Sequence, residues 1–521
     1  MRDRTLVAVL GGCLLVATTA YLMVFTLLGQ IGQTLGASRT ALDWITIATV
    51  IVGTVSGALL PALGAVLGER RLMVIAMACL AFGSLLSAVA PDVAVLLAGR
   101  IVAAPGLAAA ALSIAIVRKR RSGPSLARAL GVIAAFEGGA AGTGFALGGI
   151  VEEVARADWR AVFLAMAAIS AAAALTAAAV VPAGAVAAGA VAADSAAAGA
   201  VAADPVAVDP ADPGNARAAG GCPGPGDAEV RRRLDLGGAL LLAGGLAAGL
   251  LAITEGSTWG WASARIAGLL GGTAALLAVW AVGAVRAADP LLRLRVLGRP
   301  GVALGAAFTL VTACTVGIVN LTAPSFLETP PTAGFGDGAS VLTAGLAMLP
   351  FAAAITLAGY LAGRLAPGLG LRGIGAAGLG AEALGLGLLA WLPHSAGQVV
   401  GFLAVVGAGH GSLVAAAYIA ITKDVPAYEA GAAAGFGSAV SGISGAVASA
   451  VITPVLASRL VLTGSSAVPA ASGYTRSWLC GAAFAAAAAL IVITARKAGA
   501  GRRPALVQDE AGGIPVDYRS C

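Results

Sequence analysis

Long apolar runs, each about the length of a lipid-crossing helix and each closed by a few Arg, Asp, Gly or Pro residues, recur along the whole 521-residue chain. A helix needs roughly 20 largely apolar residues to cross a bilayer, and its backbone must satisfy its own hydrogen bonds there. On that criterion the pattern predicts fourteen spans: 5–28, 42–63, 72–89, 93–117, 130–151, 161–181, 236–254, 266–285, 302–326, 339–361, 373–392, 399–421, 431–456 and 478–493.

The stretch between the sixth and seventh spans is different. Gly-Ala-Val-Ala-Ala repeats at 184–188, 189–193 and 199–203, and Pro, Asp and Gly follow. Without Leu, Ile or Phe, residues 182–230 have too little apolar surface to offset the entropy of ordering, so the stretch reads as a disordered linker and not as a fifteenth span. The expected organisation is an N-terminal six-helix bundle (1–181), a cytoplasmic low-complexity linker (182–234), two additional membrane helices (235–300), a C-terminal six-helix bundle (301–496) and a cytoplasmic tail (497–521).

Composition supports the membrane reading. The chain is 59% apolar and 11% charged, with a mean hydropathy of +0.94. Soluble domains are nearer half apolar and a quarter charged, so the excess apolar surface must face lipid. The abundant glycine (74 residues) suits close helix packing in a bilayer, and a coding bias would also account for it. The six cysteines, Cys13, Cys79, Cys222, Cys314, Cys480 and Cys521, form no CxxC or CxxH spacing. They point to neither a metal site nor a disulfide framework.

The net charge of +7 does not point to nucleic acid, because the basic residues are sorted by loop. With the N-terminus inside and the spans alternating, the inside loops hold Arg70, Arg71, the run Arg118-Lys119-Arg120-Arg121, Arg128, Arg231, Arg232, Arg233, Arg286, Arg293, Arg295, Arg299, Arg364 and Arg372. The outside loops hold Arg39, Arg156, Arg160, Arg265, Arg459 and Arg476. This bias predicts an even number of spans in a cell membrane with both termini cytoplasmic.

Local signatures go further. The loop between spans two and three reads Gly64-Ala-Val-Leu-Gly-Glu-Arg-Arg71, and a similar run, Gly363-Arg-Leu-Ala-Pro-Gly-Leu-Gly-Leu-Arg372, joins spans ten and eleven. Arg100 lies inside span four. Span five carries spaced glycines ending Gly144-Phe-Ala-Leu-Gly-Gly149, and Trp159-Arg160 with Phe163 opens span six. Asp235-Leu-Gly-Gly opens span seven, Glu255-Gly-Ser-Thr-Trp-Gly-Trp261 closes it, and Asp289-Pro-Leu-Leu-Arg-Leu-Arg295 leads into span nine. Gly345 and Leu349-Pro350 mark span ten. In these features the chain resembles the major facilitator superfamily, and within it the fourteen-helix drug:proton antiporter branch.

The resemblance implies an all-α integral membrane fold of two six-helix bundles plus two extra central helices. It implies secondary active transport by alternating access, with proton-coupled export of hydrophobic or cationic small molecules. It also implies a conformational role for Gly68, Arg70, Arg71, Gly144, Gly148, Gly149, Gly363, Arg364 and Arg372. The chain departs from the pattern at Ala65 (usually Asp), Ala103 and Ala104 (Gln-Gly) and Phe145 (Pro). It also departs at Ala20 and Phe25, where the branch carries an Asp and an Asn. The first-span carboxylate expected to couple protons is thus absent.

An ionisable group within a span is a functional candidate by default. Arg100 is expected to line the transport cavity or to pair helices. Glu137 in span five is the first candidate for proton coupling, since burial raises a carboxylate's pKa toward neutrality; a helix-packing hydrogen bond is the alternative. Glu382 in span eleven and His410 in span twelve are further coupling candidates, or interior packing residues. Asp43, before Trp44, reads as a helix cap or interfacial anchor. With no HExxH, no P-loop and only His394 and His410 for histidine chemistry, neither an enzyme nor a cofactor is expected. The expected partners are a small-molecule substrate, protons and the bilayer, and the expected state is a monomer. The alternatives are an exporter of an endogenous metabolite, or a transporter-like sensor or scaffold without turnover.

Overall fold

The computed structural model describes residues 2–150, 158–182, 235–287, 294–391, 395–463 and 466–500. The low-complexity linker (except Pro182) and the tail beyond Ala500 lie outside these residues, as do Asp289–Arg293 of the lead into span nine and His394.

The first six spans are Arg2–Leu35, Arg39–Leu67, Glu69–Ala88, Val93–Arg120, Gly123–Gly149 and Trp159–Val180. The fourth passes through one 3-10 turn at Ala104–Ala108, where Pro105 interrupts the α-helix. Spans seven and eight are Leu236–Trp259 and Ala264–Arg286. Pro300–Glu328 is span nine, Ala396–Lys423 span twelve, Ala430–Ala457 span thirteen and Ala471–Ala500 span fourteen.

Between spans nine and twelve one apolar helical segment, Val341–Trp391, runs for 51 residues. Fully helical, it would reach about 75 Å, more than twice the bilayer core of roughly 30 Å. It is two spans, because Gly370 breaks the helix with φ 73° and ψ 155°, a conformation closed to L-residues with a side chain. Thirteen segments among the described residues qualify as membrane-crossing by length and composition, and dividing this one gives fourteen. The sequence reading ends span ten at 361, but the helix continues to the break at Gly370. Pro367 is accommodated inside the helix.

The six even-numbered spans from two to twelve all start on the face opposite the arginine-rich loops. Each begins at a Ser or Asp whose side chain accepts a hydrogen bond from a first-turn backbone N–H: Ser38, Asp92, Asp158, Ser263, Ser340 and Ser395. Such caps satisfy donors that the helix itself leaves free. On this face an antiparallel hairpin, β1 (Leu460–Thr463) and β2 (Ser466–Pro469), joins spans thirteen and fourteen, an element the hydropathy pattern does not reveal.

Burial follows the membrane and not water. Leu10, Leu14, Met23, Leu27, Phe163, Phe308 and Phe351 are fully buried, while Leu175, Leu240, Val285, Leu490 and Ile491 are exposed on helix exteriors. Large apolar side chains turned outward on helices without loops around them are what a lipid-facing belt requires.

Spans seven and eight lean on spans two and thirteen. Leu242 and Leu246 of span seven pack on Ala58 of span two and Ala439 of span thirteen, with Leu277 and Trp280 of span eight behind them. The added pair therefore lies over the line where the two six-span halves meet.

Candidate functional site

The halves meet along two seams built from glycine. In the first, span five lies against span ten along nearly its whole length. A methyl group added at Gly131 would stand 2.7 Å from the Cα of Gly363, and one at Gly138 would stand 2.6 Å from the Thr356 nitrogen. Toward the other face, one at Gly345 would stand 2.6 Å from the Phe145 carbonyl oxygen, and Gly149 rests on the Leu342 backbone. Glycine lets the two backbones touch directly.

In the second seam, between spans two and thirteen, the glycine contacts run from the arginine-rich end to mid-span. Gly431 and Gly435 press on the carbonyl oxygens of Pro61 and Ala58, and Gly442 presses on Thr54. At Gly445, one turn further from the arginine-rich face, an added methyl would meet nothing within 4 Å. The arginine-rich end is reinforced by Arg118 at the end of span four. Its Nε donates to the Thr422 carbonyl and its Nη2 to the Val425 carbonyl, both at 2.9 Å. The sequence reading takes the Arg118–Arg121 run as an orientation signal; the structure also gives Arg118 a bond from one half to the other.

The two loop motifs occupy related places but divide their duties differently. Gly68 (φ 86°) makes the turn between spans two and three. Glu69 pairs with Lys119, Arg70 donates to the Ala178 carbonyl, and Arg71 is exposed. In the second copy the turn is made at Gly370, whereas Gly363 belongs to the first seam, Arg364 lies over the Tyr360 ring at 4.5 Å, and Arg372 is exposed. On span five, Gly144 packs on Leu22 of span one, and Gly148 precedes Gly149 on the same helix.

Three ionisable centres lie deep within the described spans, and a further buried carboxylate, Glu255, stands near the end of span seven. Glu137, half-buried on span five, accepts a 2.6 Å hydrogen bond from the Tyr418 hydroxyl of span twelve, so this carboxylate is tied to the opposite half. Glu382 is wholly buried. Its Oε2 accepts from Thr315 Oγ1 of span nine at 3.0 Å, and its Oε1 lies 3.5 Å from His410 Nδ1 of span twelve. The sequence names Glu382 and His410 separately; the fold brings them together. Arg100, 2% exposed, donates from Nη2 to the Ala20 carbonyl at 3.2 Å and lies 5.7 Å from the centre of the Phe163 ring.

Sequence reasoning misses Thr315 and Tyr418. Thr315 had a signal: Thr309, Thr312 and Thr315 recur every third residue on span nine, which puts them near one helix face. Tyr418 had none, because its partner is distant in sequence and on another span.

Comparison with known proteins agrees with this architecture. Residues 9–208 match the sequence profile of the Major Facilitator Superfamily. The multidrug resistance protein Stp, from two Mycobacterium tuberculosis strains (CDC 1551 / Oshkosh and ATCC 25618 / H37Rv), is 28% identical over 410 residues. That match takes in 76% of this chain and 65% of the relative, so the chain spans just under two thirds of the protein it matches. The human organic anion transporter MFSD10 (TETRAN) superposes with a TM-score of 0.61 over 94% of this chain and 99% of that one, at 14% identity. The proton:xylose symporter XylE superposes with a TM-score of 0.57 over 94% of each chain, also at 14% identity.

Proposed function

We propose that this chain, a membrane transporter of the major facilitator superfamily, exports a hydrophobic small molecule by alternating access, coupled to protons moving inward. The observation that carries the reading is the unequal pair of seams. Spans five and ten meet at glycines from end to end, while the glycine contacts between spans two and thirteen lie toward the arginine-rich face. Two rigid halves with one continuous and one partial glycine seam can rock about the first and open or close the second. The charge bias makes the arginine-rich face cytoplasmic, so this arrangement is closed inward.

Proton coupling needs a group that is buried, protonatable and sensitive to the state of the halves. The Glu382–His410 pair is the better proton carrier of the two carboxylate sites. It is fully enclosed, so adding or removing one proton decides whether a net charge is buried. Glu137 is half-buried and bonded across the halves, so it reports and resists their movement. Export is supported by the similarity to a multidrug resistance protein, and the match in name carries no substrate with it.

The test is uptake into inside-out vesicles of full-length protein, over a panel of lipophilic dyes, with and without an imposed pH gradient. Gradient-dependent accumulation is expected. Binding without accumulation at any gradient would leave the sensor or scaffold reading in its place.

A further inference from the structure

Arg100 is a fixed cation in the membrane interior with hydrogen-bonding capacity to spare. Its Nη2 reaches the Ala20 carbonyl, but its Nε and Nη1 have no hydrogen-bond partner among the described residues. They are enclosed: the residue is 2% exposed. Around it is a crevice between spans one, two and four, lined by Tyr21, Val24, Phe25, Ile45, Thr46 and Thr49 and too narrow in this arrangement to hold a water molecule, so a ligand reaches it only as these spans part. Phe163 of span six closes the far side. None of these residues is acidic. Asp43, on the same stretch of span two, is solvent-exposed, and among the described residues Arg100 makes no ion pair.

A guanidinium held away from water strongly favours a charged acceptor over a neutral one, and its planar fork fits a carboxylate. The walls add aromatic and aliphatic surface from Tyr21, Phe25, Val24 and Ile45, and two hydroxyls from Thr46 and Thr49. A ligand that completes this site carries one anionic group at the end of an apolar body.

We infer that the Arg100 crevice binds the acidic headgroup of an amphiphilic anion, so that the cargo is a carboxylate-bearing hydrophobic molecule and not a cation. This rests on the transport reading only where it calls the ligand a cargo. Two sources share the chemistry, a soluble organic acid and an anionic lipid from the surrounding leaflet, and the arms below separate them.

The experiment uses the full chain in nanodiscs of uncharged lipid, with three probes that share one ring system: 1-naphthoate, 1-naphthalenemethanol and (1-naphthylmethyl)trimethylammonium. Equilibrium binding should rank them acid, alcohol, ammonium, with the acid about tenfold tighter than the alcohol. In Arg100→Gln the acid should fall to the level of the alcohol, whose own affinity stays within about twofold and so verifies a folded crevice. Arg100→Lys should keep the order at reduced affinity. Displacement of naphthoate by phosphatidylglycerol doped into the discs, with no flux of naphthoate in vesicles, would make the ligand a lipid and overturn the cargo assignment. An ammonium probe that binds as tightly as the acid, or an acid preference that survives Arg100→Gln, would overturn the site. If Arg100→Gln does not accumulate, the wild-type ranking alone decides. A chain that shows the acid preference but moves nothing keeps the site and loses the transport role, so the two failures are told apart.

Discussion

A charged carboxylate buried alone in a membrane interior costs several kcal/mol. Glu382 avoids isolation through the Thr315 hydroxyl and the His410 imidazole. One proton shared between carboxylate and imidazole leaves the pair neutral or as an ion pair, and a second makes it a net cation. Glu382→Gln fixes the side chain in a neutral form. It should abolish accumulation against a gradient while downhill exchange persists, as read by paired uptake and counterflow assays. Uphill transport at the wild-type level would take Glu382 out of coupling. Glu137 has a different duty, since its partner Tyr418 sits on the other half. Glu137→Leu and Tyr418→Phe should each loosen the halves by the worth of one buried hydrogen bond, about 1 kcal/mol. The double variant should be no worse than either single one, and a thermal-stability cycle measures this. Additive losses would mean that the two side chains act separately.

At the scale of helices, the seams depend on residues with no side chain. Gly431 and Gly435 lie so close to the Pro61 and Ala58 carbonyls that even an alanine methyl group forces the backbones apart. Gly431→Ala and Gly435→Ala should therefore shift the protein away from the inward-closed arrangement. A cysteine introduced at Ala434, buried here, should then react with a bulky maleimide at least several-fold faster than in the parent chain. An unchanged labelling rate would show that the seam tolerates the methyl by local adjustment and does not gate. Spans seven and eight lie over this same seam through Leu242 and Leu246, a position that shields it from lipid.

For the molecule as a whole, both termini and the linker are proposed to be cytoplasmic, because the arginine bias persists through all fourteen spans. Reporter fusions after Asp227 and Ala500 should both report a cytoplasmic location. An external signal at either would break the fourteen-span arrangement. Deleting residues 184–203 should leave membrane insertion and flux within about twofold of the parent, since Ala, Val and Gly alone offer little apolar surface to pack. Loss of the protein from the membrane after this deletion would show that the segment is needed for folding.

Span number was legible along the chain, because a bilayer imposes a length and a polarity on each helix independently of its neighbours; the two bundles and the added central pair followed only from the resemblance of local motifs to a known family. The individual ionisable residues, Arg100, Glu137, Glu382 and His410, were legible for the same reason: each interrupts an apolar run. Their partners were not. Tyr418 and Glu137 are 281 residues apart, and Thr315 and Glu382 are 67 apart; which helices face one another depends on packing that a single apolar run does not encode. The same holds for the glycines. Their abundance is visible in the sequence, but only the tertiary structure separates Gly370, which turns the chain, from Gly363, which lies against Gly131, because one role is set by backbone torsion and the other by the helix opposite.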